Sequence, residues 1–304
     1  MSSPQENTQS SDQVQRFLFD HTAVRGELAH LEQSYYEVLD RHDYPPAVEE
    51  QLGQLLAAAA LLTATVKLEG TLSLEVRSQG QVTLMMAECN TGAQGGDQLR
   101  AIARYTGEPQ GSSLQELTQG GQLVITLDPT QGKRYQGIVS LDKENLALCL
   151  EGYFANSEQL PTRIWLEASD QKAAGLLLQQ LPDDASNTDP DAWNRLTHLA
   201  ATVQKQELLN LEPLTLLHRL YHEETLRVFP PHQLKFGCTC SRERTSEAVA
   251  SLGEAELQAI IAEQGKIETQ CHFCNTVYTF HKQDLPEILG KPGANQLPDG
   301  HKLH

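Results

Sequence analysis

LLAAAALLTATVKLEGTLSLEVRSQGQVTLMM, residues 55–86, changes its hydrophobic period in mid-course. Its first part is apolar at almost every position, so a helix over Ala47–Thr63 is expected to be buried on most sides. Pro45-Pro46 stands just upstream, where a helix tolerates a missing N–H. From Leu72 the period becomes two. Leu72, Leu74 and Val76 alternate with polar residues, as do Val82, Leu84 and Met86. The break at Gly80-Gln81 predicts two antiparallel strands.

Outward from this stretch the pattern stays mixed. Leu28, Leu31, Tyr35, Val38 and Leu39 fall on one helix face, which predicts a helix there. Residues 90–97 are Gly/Gln-rich and read as a loop. LVITL at 123–127 and YQGIVSL at 135–141 read as strands around Asp128-Pro129, and Asn145–Gln159 as a helix ended by Pro161. RIWLEAS and AGLLLQQL read as two further strands. Without regular βαβ alternation, residues 13–180 are expected to form an α+β domain.

Composition shifts after Pro182, in a charged run DDASNTDPD. The region 181–231 is expected to be a helical linker, with helices over Ala192–Leu211 and Leu214–Glu224. Leu196, Leu199, Val203, Leu208 and Leu209 give the first an incomplete apolar face, so it must dock on something. Residues 232–290 hold four of the six cysteines and form a third part. Residues 1–12 and 291–304 are expected to be disordered and flexible.

The chain has 304 residues and a formal charge of −17, which argues against a broad electrostatic grip on nucleic acid or anionic membrane. No run approaches the length of apolar residues that spans a bilayer. The polar N-terminus has no secretory pattern, so a cytoplasmic protein is expected. In that compartment cysteines are metal ligands or redox thiols more often than staples.

The chemistry concentrates in Cys238-Thr-Cys240, thirty residues, then Cys271-His-Phe-Cys274. Two close thiol pairs supply four ligands from two short turns, as a tetrahedral site requires, and four thiolates favour Zn²⁺. Cys238, Cys240, Cys271 and Cys274 are therefore the expected ligands of one zinc per chain. Phe236, Phe273, Val277, Tyr278 and Phe280 can form a small core over it. Metal binding would supply much of the folding energy of so short a segment. Arg242 and Arg244 stand where they would either favour ionised thiols or open a solvated helix. Cys89 and Cys149 read as small core residues, and His218 and His222 as surface or structural residues. The motifs of phosphate loops, nucleophile elbows, zinc proteases, dinucleotide folds and nucleobase deaminases are all missing from the sequence, so no catalytic residue is assigned and no enzyme is expected.

C-x-C-S-R-E-R followed at that distance by C-x-x-C closely resembles the zinc centre of the 33 kDa chaperonin (heat shock protein 33) family. The resemblance extends through AVRGEL at 23–28, LLAAAALLTATVKLEG at 55–70, RYQGIVSL at 134–141, YFANSEQLPTR at 153–163 and RLYHEE at 219–224. It implies an N-terminal α+β chaperone and dimerisation domain, a metastable helical linker and a C-terminal zinc-binding redox switch. It implies that the four cysteines bind zinc when reduced and form Cys238–Cys240 and Cys271–Cys274 disulfides when oxidised. It further implies an ATP-independent holdase, inactive when reduced and dimeric when oxidised, that holds unfolding client proteins and passes them to an Hsp70-type refolding system. Two positions depart from the family pattern. Thr245 stands where relatives often carry cysteine, and Asn275 where many carry glycine. Asn tolerates the left-handed backbone a zinc-knuckle turn needs.

Two other functions compete on the residues alone. Cys271-His-Phe-Cys274 could serve a thiol–disulfide oxidoreductase, but no thioredoxin-like βαβ context surrounds it. A zinc ribbon could read nucleic acid, but from residue 232 onward seven Lys/Arg face nine Asp/Glu with no basic stripe.

Overall fold

The computed structural model describes residues 12–92, 96–182 and 189–290, in two compact units, Met1–Gly237 and Cys238–His304. The expected disorder at 1–11 and flexibility at 291–304 lie outside the described residues, as does the charged run at 183–188.

The first unit contains β1 (Gln13–Phe19), β2 (Val24–Leu31), α1 (Gln33–Leu39), α2 (Pro46–Thr65), β3 (Gly70–Arg77), β4 (Val82–Asn90) and β5 (Asp97–Tyr105). Next come α3 (Leu114–Thr118), β6 (Gln122–Pro129), β7 (Tyr135–Ser140) and α4 (Leu146–Tyr153), which runs into a π-helical turn at Phe154–Glu158. β8 (Thr162–Ala168), β9 (Ala173–Gln180), α5 (Ala192–Ala200), α6 (Lys205–Asn210), α7 (Pro213–Tyr221), β10 (Leu226–Val228) and β11 (His232–Phe236) complete it. The strands form one sheet in the order β7-β6-β3-β4-β5-β11-β1-β2-β9-β8, with β10 beside β1. Among the described residues only the β5–β11 pair is parallel. The α+β reading holds: helices pack on a mostly antiparallel sheet without βαβ repetition.

Helix α2 is the axis of the main core. Leu52, Leu55, Leu56 and Leu61 are fully enclosed and pack with Leu72, Leu74 and Val76 of β3 and Met85, Ala87 and Cys89 of β4. This is why its sequence shows no polar stripe. The opposite face of β1, β2 and β9 carries a second core. Phe17, Phe19, Val24, Leu28, Leu176 and Leu178 meet Leu196, Leu208, Leu216, Leu217 and Tyr221 of α5–α7. Strand β9 is thus covered on both faces, which explains its unbroken apolar run. The AVRGEL segment has a steric reason at Gly26, where a Cβ would lie 2.1 Å from the Phe17 ring.

Four expectations need correction. The helix expected from Leu28 is a strand to Leu31, and α1 starts only at Gln33. The Asp12 carboxylate accepts hydrogen bonds from the Glu32 and Gln33 amides at 2.7 and 2.9 Å, and from that of Ser34. A cap drawn from twenty residues upstream leaves no trace in local periodicity. Asp12 itself, the last residue of the segment expected to be disordered, is fully buried. The single helix expected over Ala192–Leu211 is two, because Glu207 accepts the Gln204 amide at 3.0 Å and caps a new start. Residues 232–236, grouped with the cysteines by composition, form β11 in the large sheet, and Phe236 lies under Arg41 at 4.0 Å rather than over the thiols.

The second unit comprises α8 (Arg242–Ala250), α9 (Glu254–Gln264), β12 (Ile267–Gln270), β13 (Val277–Phe280), a 3-10 turn at Lys282–Asp284 and α10 (Leu285–Leu289). Among the described residues its core is seven, with Leu257, Ala250 and Phe280 the most enclosed. No helix among the described residues is long and apolar enough to cross a membrane.

Candidate metal centre

Two local structures bring the cysteines together. Cys238 and Cys240 lead into α8, whose start is capped by the Ser241 hydroxyl accepting from the Arg244 amide at 3.2 Å. Arg244 Nη1 donates back to the Thr239 carbonyl at 3.0 Å and holds the C-x-C segment against the helix end. Cys271 and Cys274 lie on the tight connection between β12 and β13. The Asn275 amide donates to the Cys271 carbonyl at 2.8 Å, and the Cys271 amide to the Thr276 carbonyl at 2.9 Å. Asn275 has φ 59°, the left-handed conformation that its residue type tolerates in place of glycine.

The four sulfurs all lie within 4.8 Å of one another. The close approaches run between the pairs: Cys238 Sγ to Cys271 Sγ is 3.6 Å and Cys240 Sγ to Cys274 Sγ is 3.4 Å. A tetrahedron with metal–sulfur bonds of about 2.3 Å has sulfur–sulfur edges of about 3.8 Å, so the donor set fits a zinc-sized ion. Among the described residues this is the one group of His, Cys, Asp or Glu placed to hold a metal.

The thiols compete for protons. Burial drives the Cys240 thiol up to about 12, helped by the neighbouring Cys274 and Cys238 and opposed by Tyr278. Burial also raises Cys271. Burial pushes Cys274 up too, but hydrogen bonds to the Thr276 side chain and backbone, then to Cys240 and Cys271, hold it at about 7. Four crowded sulfurs ionise together only beside a cation, which is what such a donor set is suited to receive.

Arg242 and Arg244 bond to oxygens, Arg244 to that of the Thr239 carbonyl and Arg242 to those of Thr279 and Asp284. Arg242 stacks on Phe280 at 4.4 Å, donates to the Thr279 carbonyl at 2.7 Å and pairs with Asp284 at 3.1 Å. Two hydroxyls touch sulfur. Tyr278 O–H donates to Cys240 Sγ at 3.1 Å, and the Thr276 hydroxyl and Cys274 Sγ lie 3.2 Å apart. Sequence reading placed Tyr278 in a covering core; the reach of its hydroxyl follows from strand register and has no sequence signal. Cys89 and Cys149 are buried core residues, and burial raises Cys89 to about 12. His218 and His222 are exposed on and beside the end of α7.

The chain is similar to known proteins over nearly its whole length. A family model described as Hsp33 protein matches residues 12–281. The 33 kDa chaperonin of Pseudomonas aeruginosa is 50% identical over 291 residues, covering 93% of this chain and 96% of that one. The 33 kDa chaperonin of Shewanella sediminis is 47% identical over 286 residues, covering 94% and 98%. Among solved structures, the 33 kDa chaperonin (heat shock protein 33 homologue) of Thermotoga maritima has the same fold, with TM-score 0.78 and 23% identity. It covers 92% of this chain and 98% of its own.

Proposed function

The chain belongs to the Hsp33 protein family, and on that premise we propose that it is a redox-switched, ATP-independent holdase of the cytoplasm. In the reduced state Cys238, Cys240, Cys271 and Cys274 hold one Zn²⁺. The ion, when bound, neutralises the thiolates and ties the two sulfur pairs of the second unit together. The observation that carries the reading is the single cluster of four cysteine sulfurs, all within 4.8 Å of one another.

Oxidation pairs the sulfurs within each turn, as Cys238–Cys240 and Cys271–Cys274. A disulfide sulfur is no longer a thiolate ligand, so the residues then lack the charge and donors to retain a dication. The second unit has a core of only seven enclosed residues among those described, and depends on that ligation. The linker helices α5–α7 bury one apolar stripe each and are held by docking. Their release would bare Phe17, Phe19, Val24 and Leu176 together with the linker's own leucines, a contiguous apolar surface of the kind that captures unfolding chains. The net charge of −17 keeps such an opened molecule soluble. The oxidised chain acts as a homodimer and passes its clients to an Hsp70-type refolding system. No bond of the client is changed, so the activity is not enzymatic.

Light scattering of a thermally unfolding client tests this. The chain is added reduced with zinc, oxidised with peroxide at mild heat, and oxidised then re-reduced, with zinc release followed by a chromogenic chelator. Suppression by the oxidised form alone, with one zinc released per chain and reversal on reduction, is expected. Equal behaviour of all three forms would reduce the cysteines to a structural staple.

A further inference from the structure

We propose that the phenol of Tyr278 restrains oxidation of the metal centre by holding a hydrogen bond on Cys240; the inference rests on the redox reading above. Tyr278 is fixed in β13, opposite Thr269 of β12. It shares a strand face with Phe280, two residues on, which is buried in the small core beneath the Arg242 guanidinium. That anchoring sets the ring, and its O–H reaches Cys240 Sγ at 3.1 Å. Thr276, the hydroxyl residue near Cys274, is exposed and precedes the strand, so the phenol is the more firmly held of the two.

Oxidation by hydrogen peroxide needs a sulfur lone pair. One thiolate sulfur attacks a peroxide oxygen, the O–O bond breaks, and sulfenic acid and hydroxide result. The neighbouring thiolate then attacks that sulfur, the S–S bond forms, and a second hydroxide leaves. Two electrons pass from two sulfurs to one peroxide, once for each pair. An O–H donated to Cys240 draws density from the lone pair that must attack, and so slows the first step. Tyr278 touches a reacting sulfur without exchanging electrons or atoms with it, and is a positioning residue. It sets a threshold: brief oxidant exposure leaves the C-x-C pair reduced, and sustained exposure does not.

The test uses the full-length chain and Tyr278→Phe, which keeps the ring and its packing and removes only the hydroxyl. Both are loaded with zinc, and zinc release under a fixed excess of peroxide is timed. Both are also loaded with cobalt(II), and the thiolate-to-cobalt charge-transfer band is recorded without oxidant. The expected result is roughly tenfold faster release in the variant, in line with the effect of outer ligand-sphere substitutions. The cobalt band should move to longer wavelength, because a sulfur relieved of its hydrogen bond gives up charge more easily. Unchanged release with an unchanged band overturns the proposal. Faster release without a band shift also overturns it, since the phenol would then act by packing alone. Metal retention by both chains under peroxide would overturn the redox reading and this rate effect with it, while the cobalt band would still decide the hydrogen bond.

Discussion

Strands β1, β2 and β9 are covered by helices on both faces, and the two covers are built differently. On one side thirteen of the twenty residues of α2 are buried, and the helix has apolar neighbours almost all round. On the other, ten of the twenty-four residues of α5–α7 are buried, in three short pieces. Ion pairs bridge those pieces at their edges: Arg195 to Glu224 and Asp189, Arg219 to Glu207, and Lys205 to Glu50 and Glu167. Partly exposed pairs contribute little each and are screened by salt. One helix is embedded and the other three are laid on; on the function proposed above, the second of these faces is the removable one.

The most severe way to break this contrast is in the second unit, which has even less core than the linker. Stripping the metal with a strong chelator under reducing conditions should remove ligation worth about 10–16 kcal/mol in zinc peptides. Hydrogen exchange should show β12, β13 and α8 losing protection while α2 keeps its own. Protection of β12–β13 that survives chelation would show the small core to be self-sufficient.

Next in size are cavity substitutions, one per face. Leu56→Ala and Leu216→Ala each remove a fully enclosed side chain and should cost about 2–5 kcal/mol. The readouts should separate. Leu56→Ala should lower the midpoint of global unfolding, whereas Leu216→Ala should raise exchange in α5–α7 and leave the sheet protected. If both lower the global midpoint equally, the linker and sheet unfold as one and the contrast fails.

The two faces should also titrate in opposite directions. Glu27 lies on the α2 side of β2, and burial raises its carboxyl from 4.5 to about 7 against the pull of Arg25 and Arg16. Its contribution is present at low pH and is lost as pH rises through the window from 4.5 to 7. His30 lies on the linker side, hydrogen bonded to the Leu208 backbone. Burial lowers it from 6.5 to about 4, with Lys172 acting the same way. Its contribution is present above 6.5 and is lost as pH falls toward 4. Acidification from pH 7 to pH 5 should therefore loosen α6 relative to α2, measured by hydrogen exchange corrected for intrinsic rates. His30→Gln should flatten the response of α6; an equal response in that variant would assign the loosening elsewhere.

The smallest effect is expected at Arg195, which joins the start and end of the linker helices at 2.7 and 2.8 Å. Arg195→Met should cost up to about 1 kcal/mol in linker protection and remove part of its salt dependence. A larger loss, insensitive to salt, would mean that the side chain acts through packing.

Much of the embedded face was legible in the sequence. An apolar stretch with no polar stripe has one stable placement, inside, and the alternation in β3 reports a sheet with one face to that helix; in β4 a register shift after Val82 turns Met85, Ala87 and Cys89 inward in place of the expected Leu84 and Met86. The four cysteines were legible for a related reason, since ligand spacing is local within each pair. The removable face was less legible. Strand β2 carries apolar residues toward both cores, which erased its alternation and let Leu28 and Leu31 pass for helical positions. The break before α6 depends on a single cap, and β11 pairs in parallel with a strand more than a hundred residues earlier.

By itself the sequence determined the burial of α2, the α+β class and which four cysteines come together, because hydrophobic period and cysteine spacing act over a few residues. Tertiary structure decided which sulfurs approach one another across the pairs, that Asp12 starts α1, that β11 belongs to the large sheet, and that the Tyr278 phenol rather than an arginine touches Cys240. Each of these is a contact between segments distant in the chain, and a hydrogen bond over 3 Å is fixed by the register of folded strands, which local composition does not encode.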